Sequence, residues 1–173
     1  MAEVRVAQSF LSRAVTLDAF QRTYSDKMAE ALVRLLEQGV FRGTGSGQML
    51  GFLNDPRVTD EHKTVFAEDQ IKTWTGWTTL LSKVSVPYRA HGHFYMAQDT
   101  WDRYVNGLVD ANGQPLARIN YGLQGAYNSA YTFMGKAVDI VPEDILPSYD
   151  DAKGQAEDKP AIVFGDLRNY IVN

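Results

Sequence analysis

Apolar residues recur at helical intervals near the start of the chain. The stripe repeats every three or four residues and consists of Leu17, Phe20, Tyr24, Met28, Ala31, Leu32 and Leu35. This spacing predicts one amphipathic helix that runs to Phe41 and is about 37 Å long, at about 1.5 Å per residue. A helix of that length is long for this chain, so we expect it to act as a spine. Leu32 and Leu35 should then be buried against strands from both ends of the chain.

The pattern after this helix predicts shorter helices and turns. Helical spacing returns in "IKTWTGWTTLLSKV", and "DTWDRYVNGLV" predicts a short helix that Asp99 could cap. The segment from Asp110 to Leu116 has the composition of a turn, and residues 143–159 form a polar, acidic loop.

Strand-like segments are scattered between these helices. They are "AEVRVAQSF", "HGHFYMAQ", "YNSAYTFMGKAVDIVP", which is broken at Gly135, and "PAIVFGDLRNYIV", which predicts two strands joined at Gly165-Asp166. One long helix with shorter helices and scattered strands indicates an α+β fold.

Composition narrows the function classes. The chain has 173 residues, of which 45% are hydrophobic and 22% charged, as in an ordinary globular protein. The net charge of −4 argues against general nucleic-acid binding, which needs a basic face. Cysteine is absent, which excludes a disulfide, a thiolate zinc site and a thiol nucleophile. We find no signal peptide and no run near the ~20 apolar residues that span a bilayer, so no membrane partner is expected.

The glycine-rich segment "FRGTGSGQMLGFLND" raises the question of a phosphate-binding loop. Such a loop follows a strand, opens a helix and carries a lysine, whereas this segment follows a helix and has no lysine at that position. We therefore interpret it as a helix C-terminal glycine run that enters a tight loop, with Gly43 or Gly45 at positive φ. No cofactor is predicted.

Other candidate chemistry is weak. His91 and His93 would share one face of a strand and offer two imidazoles to a metal, but no third ligand has suitable spacing. Trp74 and Trp77 are more typical of a core pair than of a sugar-stacking platform. Tyr121, Tyr127, Tyr131 and Phe133 lack the interleaved basic residues of a nucleic-acid platform. The acidic loop lacks the ligand order of a calcium loop, and no G-x-S-x-G elbow is present, so we predict neither a metal nor catalytic residues.

Read in order, the segments resemble tailed-phage major capsid proteins with the HK97-type fold. The long helix ending in "FRGTGSGQMLGFLN" resembles their spine helix and glycine loop. The family then has an amphipathic helix, matched here by "IKTWTGWTTLLSKV". A strand and a short helix ending in a "D-x-x-G" turn follow, matched by "HFYMAQDTWDRYVNGLVDANGQPL". "MGKAVDIV" departs from the family's "G-x-P-V" entry because Lys136-Ala137 replaces the proline step, and "AIVFGDLRNYIV" matches the final "GD" strand. The motif positions are Gly43, Gly45, Gly47, Asp110, Gly113, Gly135, Gly165, Asp166 and Tyr170.

The resemblance implies a structural protein rather than an enzyme. It would be a phage or prophage capsid subunit that self-assembles into the shell around the DNA genome. Residues 1–60 and 160–173 would form a peripheral-type subdomain with the spine helix, and residues 61–159 an axial-type subdomain. The implied partners are other copies of the chain in capsomers, with scaffolding or portal proteins as further candidates and packaged DNA bound only non-specifically. The implied location is the virion, and the host cytoplasm during assembly.

The family also has an N-terminal arm, an extended loop and final strands that we do not find here. The resemblance therefore predicts a core fragment or a degenerate prophage product, and a monomer or weak small oligomer in solution. Two alternatives stay open. One is an encapsulin-like nanocompartment shell protein, and the other, from a different class, is a small α+β hydrolase or ligand-binding protein that uses His91 or His93.

Overall fold

A computed structural model describes residues 17–67, 69–123, 130–153 and 159–170. Internal packing divides the chain into two compact units, Met1–Asp55 with Val172–Asn173, and Pro56–Ile171. We call them unit 1 and unit 2, and the names refer to their described residues only. Residues 56–60 and 160–170 belong to unit 2, and the predicted peripheral-type and axial-type subdomains stay a prediction. The chain mixes helices and sheet, which confirms the α+β prediction.

Unit 1 is dominated by helix α1, which spans Leu17–Arg42 and confirms the predicted long helix. The predicted burial of Leu32 and Leu35 is wrong, because their exposed fractions are 44% and 42%. The described part of unit 1 contains no strand that covers this face. The strands predicted to do so fall largely on residues 2–10 and 171–173, which lie outside the described residues.

The glycine-rich segment folds back onto the C-terminal end of α1. Gly51 N donates to Gly43 O at 2.8 Å, and residues 44 and 50 form an antiparallel bridge. A Cβ on Gly43 would lie 2.0 Å from Met49 O, and one on Gly51 would lie 2.4 Å from Gly43 N, so both positions require glycine. Asn54 Nδ2 donates to Arg42 O, in the last turn of the helix, and to Gly43 O just after it, and so satisfies two carbonyls at the helix C-terminus.

Unit 2 contains four short helices and five strands. The helices are α2 (Trp74–Ser82), α3 (Val86–His91), α4 (Gln98–Thr100), which continues into a π turn (Trp101–Val105), and α5 (Tyr149–Ala152). The strands are β1 (His93–Met96), β2 (Ala117–Ile119), β3 (Tyr131–Phe133), β4 (Lys136–Ile140) and β5 (Ile162–Gly165). Single 3-10 turns of unit 2 lie at Asp60–His62, Gln70–Lys72, Tyr121–Leu123 and Leu167–Asn169. A further 3-10 turn, Phe52–Asn54, belongs to unit 1.

The five strands form one mixed sheet in the order β2-β3-β4-β1-β5. Strands β1 and β4 at its centre run parallel, with Phe94 opposite Val138. Strand β5 is antiparallel to β1, with His93 opposite Gly165. The starts of β1 and β4 and the end of β5 therefore lie at the same end of the sheet.

Aromatic side chains form the centre of the core of unit 2. Trp77 on α2 meets Phe133 of β3 at a ring-centroid distance of 4.8 Å and Phe94 of β1 at 5.8 Å, and all three residues are fully buried. Trp77 Nε1 donates to Ile71 O at 2.7 Å, which satisfies its polar atom inside the core. Trp74, by contrast, is 43% exposed, so only one of the two tryptophans belongs to the core.

The predicted break at Gly135 is the turn of a hairpin between β3 and β4. Phe133 pairs with Lys136, which leaves a two-residue loop, and its residues Met134 and Gly135 have φ of 50° and 74°. Two consecutive positive φ values are typical of the type I′ turn, whose twist matches that of the flanking strands. The predicted turn at residues 110–116 is also confirmed, since Asp110 Oδ1 accepts from two backbone amides within it.

Two local predictions are wrong. Asp99 does not cap the short helix, because α4 begins at Gln98 and the carboxylate instead pairs with Arg103 at 2.7 Å. The second strand predicted after Asp166 is replaced by a 3-10 turn at Leu167–Asn169, because the Asp166 side chain accepts a hydrogen bond from Arg168 N.

Candidate functional site

Two amides of the glycine loop of unit 1 donate to the protein's own backbone. Gly43 N donates to Gly39 O, and Gly45 N donates to Met49 O. The loop also follows the C-terminal end of α1, where the helix dipole repels anions. Gly45 and Gly47 have φ of 75° and 69°, which confirms the predicted positive φ at Gly45. The loop is therefore a helix terminator, and its geometry does not support phosphate binding.

A histidine–aspartate pair lies on the face of the sheet opposite the aromatic core. His93 Nδ1 is 2.7 Å from Asp139 Oδ2, and the two side chains are 44% and 39% exposed. Burial raises the pKa of the neighbouring Tyr95 to about 12, with a further contribution from Asp139. A hydrolytic site would also need a nucleophile beside the histidine. Among the described residues, no serine or threonine hydroxyl hydrogen-bonds to His93.

The two histidines predicted to share a strand face do not do so. His91 ends helix α3, whereas His93 begins β1, because Gly92 separates the two elements. A side chain at Gly92 would collide with the Phe164 ring, so this close approach of helix and strand requires glycine. In the described ranges no group of three or more potential metal ligands is found, and no helix is both long and apolar enough to cross a membrane.

A shallow basic cleft lies where β1 and β4 begin. It has a volume of about 230 Å³ and is lined by Ala90, His91, Gly92, His93, Gly135, Lys136, Ala137 and Arg168. We call its four basic residues, His91, His93, Lys136 and Arg168, the basic end of the sheet. None of the described residues that line the cleft is acidic, and the carboxylates of Asp139 and Asp166 pair with two of them, His93 and Arg168. Lys136 Nζ donates to Ala90 O at 3.2 Å, which holds the ammonium group against the cleft wall.

Arg168 is oriented by Asp166. The guanidinium Nε and Nη2 donate to the two carboxylate oxygens at 2.8 and 2.7 Å. These hydrogen bonds lower the pKa of Asp166 to about 2. The pair fixes one edge of the guanidinium group, and the donors on Nη1 are not used by this contact.

Acidic residues collect at the opposite end of the same sheet. We call this group the acidic end, and it comprises Asp99, Asp102, Glu143, Asp144, Asp150 and Asp151. These residues lie in the segments that follow β1 and β4. The C-terminal ends of the two strands are adjacent, and Val141 N donates to Met96 O between them at 2.9 Å. Arg103 pairs with two of the six carboxylates, at 2.7 and 3.0 Å.

Sequence analysis missed the basic end. Its residues are separated in sequence by up to 77 positions (168 − 91). The parallel pairing of β1 with β4 brings Lys136 to the histidines, and the antiparallel pairing of β5 with β1 brings Arg168. The nearest signal in the sequence is that each basic residue flanks or begins a predicted strand.

The positions predicted as family motifs lie at turns and strand ends. Gly43, Gly45 and Gly47 belong to the loop after α1, and Asp110 and Gly113 to a surface turn. Gly135 forms the β3–β4 hairpin turn, Gly165 ends β5, and Asp166 and Tyr170 flank the following 3-10 turn. The structure does not bring these residues together into one site, and their role as family motifs stays a prediction.

Comparison with known proteins gives one result. No curated protein and no solved structure matches the chain. A family model described as "Phage capsid family" matches residues 1–173. That match covers every residue of the sequence, and the mixed helix and sheet architecture is consistent with it. The chain therefore belongs to the phage capsid family.

Proposed function

We propose that this chain is a subunit of an HK97-type shell, in which copies associate with one another to form the wall that encloses a phage DNA genome. The observation that carries the proposal is the match to the phage capsid family over the whole sequence. Members of this family are structural proteins, and a capsid contains many copies of its subunit. Other copies of the chain are therefore the principal partner, with scaffolding or portal proteins as further candidates.

Two structural features support an HK97-type architecture. The first is the 26-residue helix α1, ended by a glycine loop whose Gly43 and Gly51 permit direct backbone packing. The second is a separate unit with its own sheet and aromatic core. The proposal assigns residues 1–60 to the peripheral-type subdomain and 61–159 to the axial-type one. It assigns residues 160–173 to the peripheral-type subdomain as well, and β5 within them pairs with β1 of the axial-type segment.

Exposed apolar surface on α1 also supports association. Four aliphatic residues in the second half of the helix are between 42% and 54% exposed, namely Leu32, Val33, Leu35 and Leu36. Contiguous apolar surface of this kind is unusual on a protein that works as an isolated monomer. We regard it as support for a multi-copy structure.

Particles released by the phage or prophage that encodes the chain provide the test. They would be purified on a density gradient, treated with nuclease, and analysed by mass spectrometry and negative-stain electron microscopy. We expect this chain to be the most abundant protein of particles that protect DNA, both in the virion and in shells recovered from host cytoplasm. Particles without the chain would contradict the proposal, and shells filled with protein instead of DNA would favour the nanocompartment alternative.

A further inference from the structure

Lys136 and Arg168 lie at one end of the central sheet of unit 2, and a group of carboxylates lies beyond the other end. Strands β1 and β4 are parallel, so the basic end lies where both begin and the acidic end lies beyond where both finish. The five residues of β4 separate the two ends by about 13 Å at about 3.3 Å per residue. The Lys136 ammonium group and the part of the Arg168 guanidinium group that Asp166 leaves open are complementary to an exposed carboxylate at the other end of a second copy placed head to tail.

The side chains at both ends retain capacity for a partner. Lys136 has three ammonium hydrogens, and its contact with Ala90 O uses one of them. At the other end Glu143 is exposed, and it forms no hydrogen bond or ion pair with any other residue in the described ranges. It projects from the turn after β4, next to the buried Ile145 and Leu146, which anchor that turn to the protein.

We propose that the basic end of one copy binds the acidic end of a second copy, with Lys136 and Arg168 facing the turn that carries Glu143. The inference rests on the proposed function, because it names the surface through which capsid subunits associate. The two surfaces are different, so the contact is heterologous and generates a ring or an open chain of subunits.

A carboxylate on a turn suits the basic cleft better than a nucleic-acid backbone does. Tight binding to DNA requires several Lys or Arg contacts spread along successive phosphates. The cleft offers only two permanently charged side chains, Lys136 and Arg168, and Asp166 already occupies one edge of the Arg168 guanidinium. The net charge of −4 would also repel DNA. The carboxylates that the proposed contact uses contribute to that negative charge.

Site-directed disulfide trapping tests the contact directly, because the chain has no cysteine of its own. Lys136→Cys and Glu143→Cys chains would be mixed in equal amounts under mild oxidant, and disulfide-linked dimers would be measured by non-reducing electrophoresis. The matched control replaces Glu143→Cys by Val65→Cys, since Val65 is 77% exposed and lies in neither end. We expect the first mixture to form dimers at least about threefold faster. Equal rates in the two mixtures would overturn the proposal.

Charge reversal provides the second measurement. Lys136→Glu and Glu143→Lys should each weaken self-association of the full chain by about three- to tenfold in sedimentation velocity at low salt. The double variant should recover association, because each reversed side chain then meets a reversed partner. No effect of the single variants, or no recovery in the double variant, would overturn the contact. Loss of binding to double-stranded DNA in Lys136→Glu alone, with unchanged self-association, would identify the cleft as a phosphate site instead.

Failure of the contact and failure of the proposed function give different results. An amine-reactive cross-linker reports any association between copies, whichever surface forms it. Copies that cross-link in general, but not through positions 136 and 143, would leave the capsid proposal standing and refute this contact. Absence of the chain from DNA-containing particles would refute the capsid proposal, whatever the result of disulfide trapping.

Discussion

In unit 2 the largest side chains, Trp77, Phe94 and Phe133, are fully buried, whereas in unit 1 the apolar residues midway along α1 remain about half exposed. Helix α2 packs on the sheet of unit 2 through Trp77, which contacts Phe94 and Phe133. Helix α1 packs on described residues mainly near its C-terminal end, where Phe41 meets Phe52 at a centroid distance of 4.7 Å. Most helix stability in proteins comes from packing of an apolar face. Unit 2 therefore carries its own core, while the middle of α1 has apolar surface available for other partners.

The largest expected effect comes from the core of unit 2. Phe94→Ala removes a ring that contacts Trp77, Phe133 and Phe164, and it should lower the free energy of unfolding by about 3–5 kcal/mol. Chemical denaturation followed by tryptophan fluorescence measures it. The control is Tyr121→Ala, which alters a residue that is 74% exposed and should change stability by less than about 0.5 kcal/mol. Similar losses in both variants would show that the aromatic cluster is not the core.

The next effect concerns the glycine loop that ends α1. Gly43→Ala places a Cβ about 2.0 Å from Met49 O, so the loop must move, at an expected cost of about 1–3 kcal/mol. Helix content by circular dichroism during thermal unfolding is the measurement. Gly107→Ala is the control, because a Cβ there meets no atom within 4 Å. An unchanged unfolding curve for Gly43→Ala would contradict the packing of the loop on the helix.

ATP should not raise the unfolding temperature of either variant. Stabilisation by ATP would support the phosphate-loop interpretation instead.

Leu32→Ala in α1 should have a smaller effect. Burial against strands would make the change cost about 2–5 kcal/mol, whereas the observed 44% exposure leads us to expect about 1 kcal/mol or less. Alanine is also the better helix former, which offsets part of the loss. The measurement is the same helix unfolding curve. A cost as large as that of Phe94→Ala would remove the difference between the two units.

The smallest effect depends on pH. The pKa of Asp166 is lowered to about 2 from its ordinary value of 3.8, so the folded state favours the carboxylate. The stability this contributes is fully present above about pH 4 and is lost as the pH falls towards 2. The melting temperature of the wild type should therefore exceed that of Asp166→Asn at pH 6, and the difference should shrink as the pH falls to 2. A difference that grows on acidification would contradict the orientation of the Asp166–Arg168 pair.

Local pattern predicted much of the fold. Helical spacing located α1 to within one residue at its C-terminal end, and the glycine at 135 located the β3–β4 turn, because both signals are encoded by adjacent residues. The start of helix α4 at Gln98 was missed, because no side-chain cap marks it. The 3-10 turn after Asp166 was missed because the hydrogen bond from Arg168 N to the Asp166 side chain is not visible in the apolar spacing.

The basic cleft could not be predicted from the sequence, because strands that are distant in sequence form it. The parallel alignment of β1 with β4 joins residues more than 40 positions apart, so the cleft that contains His93 and Lys136 has no local signature. The exposure of Leu32 was also hidden from the sequence, because a periodic apolar stripe shows which side of a helix is apolar but does not show what covers it.

Hydrogen–deuterium exchange with mass spectrometry on the purified chain tests the contrast between the two units most directly. Amides in well-packed elements exchange only through global unfolding, whereas poorly covered elements open locally. We expect amides of β1 and β4 to exchange at least about tenfold more slowly than those of residues 27–37 in α1. Equal protection of the helix and the sheet would contradict the account, because it would mean that α1 is as well covered in the single chain as the core of unit 2.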